Sequence, residues 1–215
     1  MEPLLLIAVL IASVVVHEVA HAWQARREGD PTAEREGRIT LNPLPHIDPV
    51  GSVIVPAALY LSGTSFLFGW ARPVPVNPAH YRDPRWGDIR VSLAGVASNF
   101  LLAFLATLAT VVVVRLQPVL GATLTEGLLT AARYGILINL VLAFFNLIPI
   151  PPLDGSHVLF HFLPRPLALK YREAGRYGLL VVMGLLFLVP GAFQVVFWPV
   201  TILVGAADTF IRLWI

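Results

Sequence analysis

Two histidines and a glutamate near the start of the chain are the residues best suited to chemistry, in the sequence His17-Glu18-Val-Ala-His21. On a helix the two histidines are one turn apart and face the same side, so both imidazoles can reach one metal ion. Glu18 lies beside them and can accept a proton from a water at that ion. This arrangement is typical of zinc hydrolases. The alternative is a hydrogen-bonded cluster that joins membrane helices.

The surroundings of these three residues are apolar. Between Pro3 and Trp23 they are the only charged or imidazole side chains, and an ionisable group in hydrocarbon costs on the order of 3 kcal/mol. The stretch is long enough to cross a bilayer. Because Glu2 is acidic and the apolar run leads directly into charged residues, we expect a mature span and not a cleavable signal peptide.

The composition of the whole chain also indicates a membrane protein. Of its 215 residues, 57% are hydrophobic and 13% are charged, and the mean hydropathy is +0.76, which is far from the balance of a soluble domain. The absence of cysteine excludes disulfides and thiolate metal sites. A net charge of +2 gives no support for nucleic-acid binding.

The apolar stretches predict an all-α polytopic membrane protein with about five transmembrane helices. The spans are expected in four stretches, the last of which is a hairpin of two shorter spans: Pro3 to Trp23, Ile89 to Val114, Leu128 to Ile150 and Tyr177 to Ile215. We expect a single domain, with a core in residues 1–155 and a cytoplasmic linker and the hairpin in residues 156–215.

A shorter apolar stretch, Gly51 to Trp70, is predicted to be a re-entrant β element. It is rich in Val, Ser and Thr and is interrupted by Pro56 and Gly63, which favours extended chain over a straight helix. Arginines flank it on both sides, so both of its ends lie in the cytoplasm if arginine marks that side. The N-terminus is then outside, and the histidine pair is near the cytoplasmic end of the first span. The short, lysine-poor loops are compatible with a prokaryotic plasma membrane.

Asp154 is the best candidate for a third metal ligand, because a catalytic zinc usually takes three protein ligands and leaves a fourth position for water. It follows the proline-rich stretch Asn146 to Leu153, which must end or unwind the third span. Gly155 then permits a tight turn. The alternative is that Asp154 caps the next helix.

With these residues in view, the chain resembles the site-2 proteases, a family of zinc metalloproteases that cut substrates within the membrane. Five ordered motifs carry the resemblance: His17-Glu18-Val-Ala-His21, Leu41-Asn-Pro-Leu-Pro-His46-Ile-Asp48-Pro, Gly69-Trp-Ala-Arg-Pro-Val-Pro-Val-Asn77-Pro, Ala94-Gly95 through Asn99, and Asn146 through Asp154-Gly155. The resemblance implies one Zn²⁺ per chain, held by His17, His21 and Asp154, with Glu18 as the general base. It also implies a re-entrant β element. The chain resembles a minimal member without a PDZ or CBS domain.

Two amides in the spans are candidates for binding the oxyanion, positioning the substrate or orienting a ligand, namely Asn99 and Asn146. Each could instead be structural glue between helices. Family members often have proline after the glycine of the second-span motif, where this chain has Val96. This departure from the family pattern bears on the local helix geometry around Asn99.

Other histidines offer alternative sites. His157 and His161 are spaced four residues apart and could form a second metal site with Asp154, or they could simply be hydrated residues of the cytoplasmic linker. His46 and Asp48 could also approach a metal, but the prolines around them favour a turn held by local hydrogen bonds.

These observations predict an intramembrane zinc-dependent endopeptidase that cleaves transmembrane helices near the cytoplasmic face, for regulated intramembrane proteolysis or remnant-peptide clearance. The expected partners are a single-span protein or remnant peptide, the lipid bilayer and a possible second copy of the chain, with no nucleic acid. An unwound substrate could add as a strand to residues 51–70 or to Pro73–Asn77. The alternative is a non-catalytic membrane metal-binding or transport protein, for which Glu18 would have no purpose as a base.

Overall fold

The computed structural model describes residues 2–62 and 69–214, and nearly all of its regular structure is helical. Within these residues there are nine α-helices: α1 (Glu2–Glu28), α2 (Thr32–Arg35), α3 (Val55–Leu61), α4 (Pro84–Leu120), α5 (Ala122–Asn146), α6 (Asp154–Phe160), α7 (Arg165–Ala174), α8 (Gly178–Leu188) and α9 (Ala192–Trp214). A π-helical turn at Pro49–Ile54 and short 3₁₀ turns at Leu44–His46, Pro78–His80 and Gly175–Tyr177 lie between them.

Four helices of the described chain are long and apolar enough to cross a membrane: α1, α4, α5 and residues Gln194–Trp214 of α9. The prediction of an all-α polytopic membrane protein is therefore confirmed. The predicted C-terminal hairpin is observed as α8 and α9, which are separated at Pro190 and Gly191. However, α8 has 11 residues, and its length of about 16 Å is half of a hydrocarbon core. The count is thus four candidate spans and not five.

The prediction of a re-entrant β element was wrong, because no residue that the structure describes lies in a strand. Residues 51–61 form the end of the π-helical turn and α3, residues 69 and 70 are irregular, and residues 63–68 lie outside the described chain. Asp48 is the physical reason for the helical start. One carboxylate oxygen accepts hydrogen bonds from the N–H groups of Val50 and Gly51, and Pro49 occupies the first helical position, where it needs no donor.

Helix α4 is the central element and has 37 residues, which makes it about 55 Å long, far more than a bilayer core. Asp83 caps its start by accepting hydrogen bonds from the N–H groups of Arg85 and Trp86. It ends at Gly121, whose φ of 75° breaks the helix. The helix is continuous through Val96, so the valine in place of proline leaves the geometry around Asn99 regular.

The core of the bundle forms where α4 packs against α5 and α1, and where α9 covers α5. The largest buried apolar cluster joins α4, α5 and α9 through Ala103, Ile136, Leu140, Phe197, Val200 and Ile211. Small residues bring α1 close to its neighbours, because Ala22 and Ala25 are fully buried. These contacts fix the relative positions of the first three spans.

An irregular segment, residues 69–77, lies across the end of α1 and is held there by buried polar residues. Asp30 accepts a hydrogen bond from the N–H of Asn77 at 2.6 Å. Arg38 donates to the carbonyl oxygen of Arg72 at 2.7 Å. At the same end, Glu28 forms a bidentate ion pair with Arg90 of α4, with both N–O distances at 2.7 Å. This end of the bundle is therefore tied together by charge-assisted hydrogen bonds.

Candidate active site

Three of the residues singled out in the sequence meet in one place. His17 and His21 project from α1, and Asp154 is the first residue of α6. The Nε2 atom of His17 is 3.3 Å from Oδ2 of Asp154, and the Nε2 atom of His21 is 3.4 Å from Oδ1. One ligand atom from each residue lies within 4.8 Å of the others, and no other such group of three occurs in the described chain.

The protonation of the two rings favours a cation between them. Nδ1 of His21 donates to the carbonyl oxygen of Val91 at 2.7 Å, and Nδ1 of His17 donates to Oδ1 of Asn99 at 2.6 Å. Each ring therefore carries its proton on Nδ1 and leaves a lone pair on Nε2. The two Nε2 atoms are only 2.9 Å apart, so the repulsion between their lone pairs must be offset by a shared proton or a metal ion.

The carboxylate supports the same conclusion. Oδ2 of Asp154 is buried and has no hydrogen-bond partner, which is costly for a charged oxygen unless a cation is nearby. Two imidazole nitrogens and one carboxylate oxygen are the ligands of many catalytic zinc sites, which keep a further position open for water. The residues present thus fit a zinc ion.

Glycine allows α4 to come directly against the rings of His17 and His21. A Cβ atom at Gly95 would lie 2.4 Å from Nε2 of His21 and 2.6 Å from Cε1 of His17. No side chain fits in this space unless the ligands shift. The motif Gly95 to Asn99 therefore has two functions on one helix face: the glycine makes room for the rings, and the asparagine holds one of them.

The position of Asp154 follows from a sharp break in the chain after α5. The helix ends at Asn146, and hydrogen-bonded turns through the proline cluster lead to α6. At Gly155 a Cβ atom would lie 2.2 Å from the carbonyl oxygen of Leu147, which agrees with the predicted tight turn. The residue in the capping position of α6 is Leu153. Asp154 is thus free of a capping role and points to the histidines.

Glu18 lines the same cavity as the three candidate ligands, and one of its oxygens is anchored by the backbone. Oε2 accepts a hydrogen bond from the N–H of Val74 at 2.9 Å, which connects α1 to the 69–77 segment. The cavity has a volume of about 460 Å³, and its wall includes Trp70, Val74, Asn146 and His157. The glutamate thus faces a space that is large enough for a peptide segment.

The structure places the two predicted amides differently. Asn99 is fully buried behind His17, and its Nδ2 donates to Oδ1 of Asn139 at 2.8 Å. Both ends of this amide are therefore engaged within the protein. Asn146 lines the cavity, and its Nδ2 donates to the carbonyl oxygen of Leu142 in its own helix.

The alternative sites predicted from the other histidines are not assembled. His161 and His157 pair with Asp88 of α4, at 2.8 Å and 3.4 Å from its Oδ2, and do not join Asp154. His46 pairs through Nε2 with the carbonyl oxygen of Thr40, and Asp48 caps the π-helical turn, as the structural interpretation of these residues predicted. Sequence reasoning missed Asp88, although a carboxylate at the start of an apolar helix was a visible signal.

Sequence comparisons extend over nearly the whole chain. The profile of Peptidase family M50 matches residues 5–119 and 105–189. The Bacillus subtilis protein YwhC is 38% identical over 210 residues, which cover 97% of this chain and 90% of that protein. The Rip2 protein of Mycolicibacterium smegmatis is 32% identical over 226 residues, covering 98% and 81%. The names of both relatives describe zinc metalloproteases. No solved structure matches the chain.

The two ranges matched by the family profile contain both parts of the ligand cluster, since the first includes the histidine pair and the second includes Asp154. The candidate spans place this cluster in an integral membrane protein. The transporter alternative is not supported, because the relatives are named as proteases. The chain therefore belongs to Peptidase family M50, the site-2 protease family, and is a zinc metalloendopeptidase.

Proposed function

We propose that this protein is an intramembrane endopeptidase that hydrolyses peptide bonds of single-span membrane proteins, or of the peptides that remain after their first cleavage. The observation that carries the proposal is the position of the ligand cluster on a spanning helix. His21 lies five residues before Arg26, which is about 7.5 Å along the helix axis. The site is therefore inside the apolar span but within two turns of its polar end.

We further propose that this polar end faces the cytoplasm of a prokaryotic cell. Arg26, Arg27 and Arg38 follow the first span, and Arg82, Arg85 and Arg90 precede or begin the second. Such an excess of arginine is typical of cytoplasmic loops. The bacterial relatives support a prokaryotic plasma membrane. Cleavage would then release the cytoplasmic part of a substrate, as in regulated intramembrane proteolysis, or clear a remnant peptide.

In the proposed reaction His17, His21 and Asp154 hold the zinc ion. Bound zinc supplies Lewis acidity, which makes water more acidic and polarises a peptide carbonyl. Glu18 accepts a proton from the attacking water and delivers it to the amine nitrogen when the C–N bond breaks. The N–H of Val74 holds one carboxylate oxygen of Glu18 in place. The other oxygen has no partner among the described residues and is available to the proton.

The substrate must also expose a peptide bond that its own helix hides. The 69–77 segment lies at the cavity and is the best remaining candidate for strand addition, because residues 51–61 are helical. Val74 and Asn77 already use their N–H groups on Glu18 and Asp30. The N–H of Val76 has no such partner in the described chain, and it is the donor we expect to bind a substrate carbonyl.

The experiment is a comparison of wild type and Glu18→Gln in proteoliposomes with the same library of bacterial single-span peptides. Mass spectrometry would identify new chain ends. The expected result is fragments cut within the apolar stretch near its cytoplasmic end for wild type and none for Glu18→Gln. Glu36→Gln serves as the control, because Glu36 is exposed and outside the cavity. Equal cleavage by Glu18→Gln would overturn the assigned base, and cuts confined to soluble segments would overturn the intramembrane substrate.

A further inference from the structure

A chain of buried polar side chains runs from the candidate metal ligand His17 on α1 through α4 to α5. Nδ1 of His17 meets Oδ1 of Asn99 at 2.6 Å, and Nδ2 of Asn99 meets Oδ1 of Asn139 at 2.8 Å. Nδ2 of Asn139 then meets both Oγ of Ser13 at 2.9 Å and the carbonyl oxygen of Gly135 at 2.8 Å. The chain thereby connects α1, α4 and α5. Asn99, Asn139 and Ser13 are 0%, 2% and 3% exposed.

The carbonyl of Gly135 sets the direction of every hydrogen bond in this chain. A carbonyl oxygen can only accept, so the atom of Asn139 that faces it must be the amide NH₂. The amide oxygen of Asn139 then faces Asn99 and accepts from its NH₂. The oxygen of Asn99 is therefore the atom that faces His17, and it requires a proton on Nδ1 of that ring.

The proton on Nδ1 leaves the lone pair of His17 on Nε2, which is the atom that faces Asp154 and His21. His21 also carries its proton on Nδ1, because this nitrogen donates directly to the carbonyl oxygen of Val91. For both rings, a backbone carbonyl thus determines which nitrogen carries the proton. For His17 the carbonyl acts indirectly, through the amide side chains of Asn139 and Asn99.

We infer that Asn139 is a positioning residue of the metal centre, which acts through Asn99 to hold His17 in its metal-binding tautomer. This inference rests on the proposed role of His17 as a zinc ligand. Partners of metal-bound histidines that lie outside the ligand set commonly raise metal affinity by about 10- to 100-fold. A purely structural role between helices predicts a different result. Replacing Asn139 would then change the stability of the bundle and leave the metal affinity unchanged.

The test measures zinc affinity by competition with a chelator, using the purified full chain in detergent. Asn139→Leu has a similar size but removes the acceptor for Asn99, so zinc affinity is expected to fall about 10- to 100-fold. Asn139→Asp, in its protonated form, can still accept from Asn99 and donate to Gly135, so it is expected to bind zinc more tightly than Asn139→Leu. Ser13→Ala removes one bond between helices but leaves the Gly135 carbonyl in place, so zinc affinity is retained.

Cobalt absorption spectra of the same variants report the ligand geometry without any substrate. Asn139→Leu is expected to change the d–d bands, whereas Thr107→Val, a buried change on α4 that also loses a hydrogen bond, is expected to leave them unchanged. Asn139→Leu with the zinc affinity and cobalt spectrum of wild type would overturn the inference. Equal losses of zinc affinity in Asn139→Leu and Ser13→Ala would also overturn it, because they would indicate that Asn139 only holds the helices together.

His17→Ala separates a failure of this inference from a failure of the proposed metal site. If His17→Ala retains zinc, the proposed ligand set is wrong. If His17→Ala loses zinc while Asn139→Leu binds it as wild type does, only the positioning role of Asn139 is wrong. Thermal unfolding of the metal-free proteins identifies any variant that does not fold, and Asn139→Asp then provides the comparison with wild type.

Discussion

The backbone N–H of Val74 donates a hydrogen bond to Oε2 of Glu18 at 2.9 Å. This bond joins the 69–77 segment to the helix that carries the two histidine ligands. It leaves one oxygen of the glutamate for the reaction and fixes the direction of the carboxylate. The segment that we expect to bind substrate is therefore also the segment that positions the proposed base.

Replacement of Val74 by proline removes this N–H, and the backbone before Pro75 already favours the extended conformation that proline accepts. A hydrogen bond to a charged group contributes about 1.5–3 kcal/mol, so we expect kcat to fall about 10- to 100-fold. Zinc content should not change. The measurement is cleavage of a peptide identified in proteoliposomes. Val74→Ala, which keeps the N–H, is the matched control, and an equal effect of both variants would rule out the backbone bond as the cause.

Gly95→Ala should abolish stable metal binding. The added Cβ would lie 2.4 Å from Nε2 of His21, and it would displace the ring, because α4 is fixed by its packing against α1 and α5. We expect zinc to fall from near one per chain to a small fraction, measured by elemental analysis of the purified protein. Gly127→Ala is the control, since a Cβ there meets nothing within 4 Å. Full zinc occupancy in Gly95→Ala would contradict the close approach of α4.

Zinc content should also distinguish the role of Asp154 as a ligand from the role of Glu18 as a base. Asp154→Ala removes one of three ligands and leaves two nitrogens, so we expect most of the zinc to be lost. Glu18→Gln keeps all three ligands and should retain near one zinc per chain while cleavage disappears. Both quantities are measured on the same preparations. Unchanged zinc in Asp154→Ala would refute the ligand set, whatever the activity of that variant.

Val76→Pro tests strand addition separately from the chemistry. It removes a backbone N–H that has no partner in the described part of the chain, while the bond from Val74 to Glu18 stays intact. We expect KM for a single-span peptide to rise several-fold, with zinc content unchanged and little change in kcat. Val76→Ala keeps the N–H and serves as the control. The same KM for Val76→Pro and wild type would exclude this N–H as a substrate contact.

Asp30 should give the stability of the protein a dependence on pH. Burial raises the pKa of this carboxyl, but hydrogen bonds from Thr32, Asn77 and His80 outweigh that effect, so the pKa lies below its ordinary value of 3.8. Folded protein therefore holds the ionised form more strongly than unfolded protein does. The resulting stabilisation is complete above the unfolded pKa and is lost as the pH falls through the folded pKa.

Asp30→Asn should accordingly be less stable than wild type at pH 7 by about 2 kcal/mol, and the difference should shrink in acid. Thermal unfolding in detergent between pH 3 and pH 7 measures both effects. Glu36→Gln is the control, because Glu36 is exposed and lies outside the candidate spans. A difference that does not change over this range would show that the charge of Asp30 has no part in the stability.

The clustering of His17, His21 and Asp154 could be predicted from the sequence because its signals are local. A histidine pair at helical spacing and an aspartate after a proline-rich break are visible without knowledge of the fold. The same holds for the first three spans, since their length and hydropathy are properties of contiguous residues. Neither property depends on how the helices pack against one another.

The errors and omissions have different physical causes. Residues 51–70 were predicted to be extended from β propensity, but the capping of the π-helical turn by Asp48 outweighed this weak preference. The partners of the site were missed because they come from distant parts of the chain. Asn139 reaches His17 only through Asn99, and Val74 reaches Glu18 across 56 residues. No spacing rule connects such pairs.

The three candidate metal ligands come from both ends of the core, and this separation has a consequence for biosynthesis. His17 and His21 are made early, but the third ligand exists only after residue 154 of 215 has been synthesised and α5 has been placed against α1 and α4. A metal ion that binds all three ligands favours the assembled helices over the separate ones. Under this assignment a newly inserted first span carries no complete site, and hydrolysis can begin only after the bundle has closed.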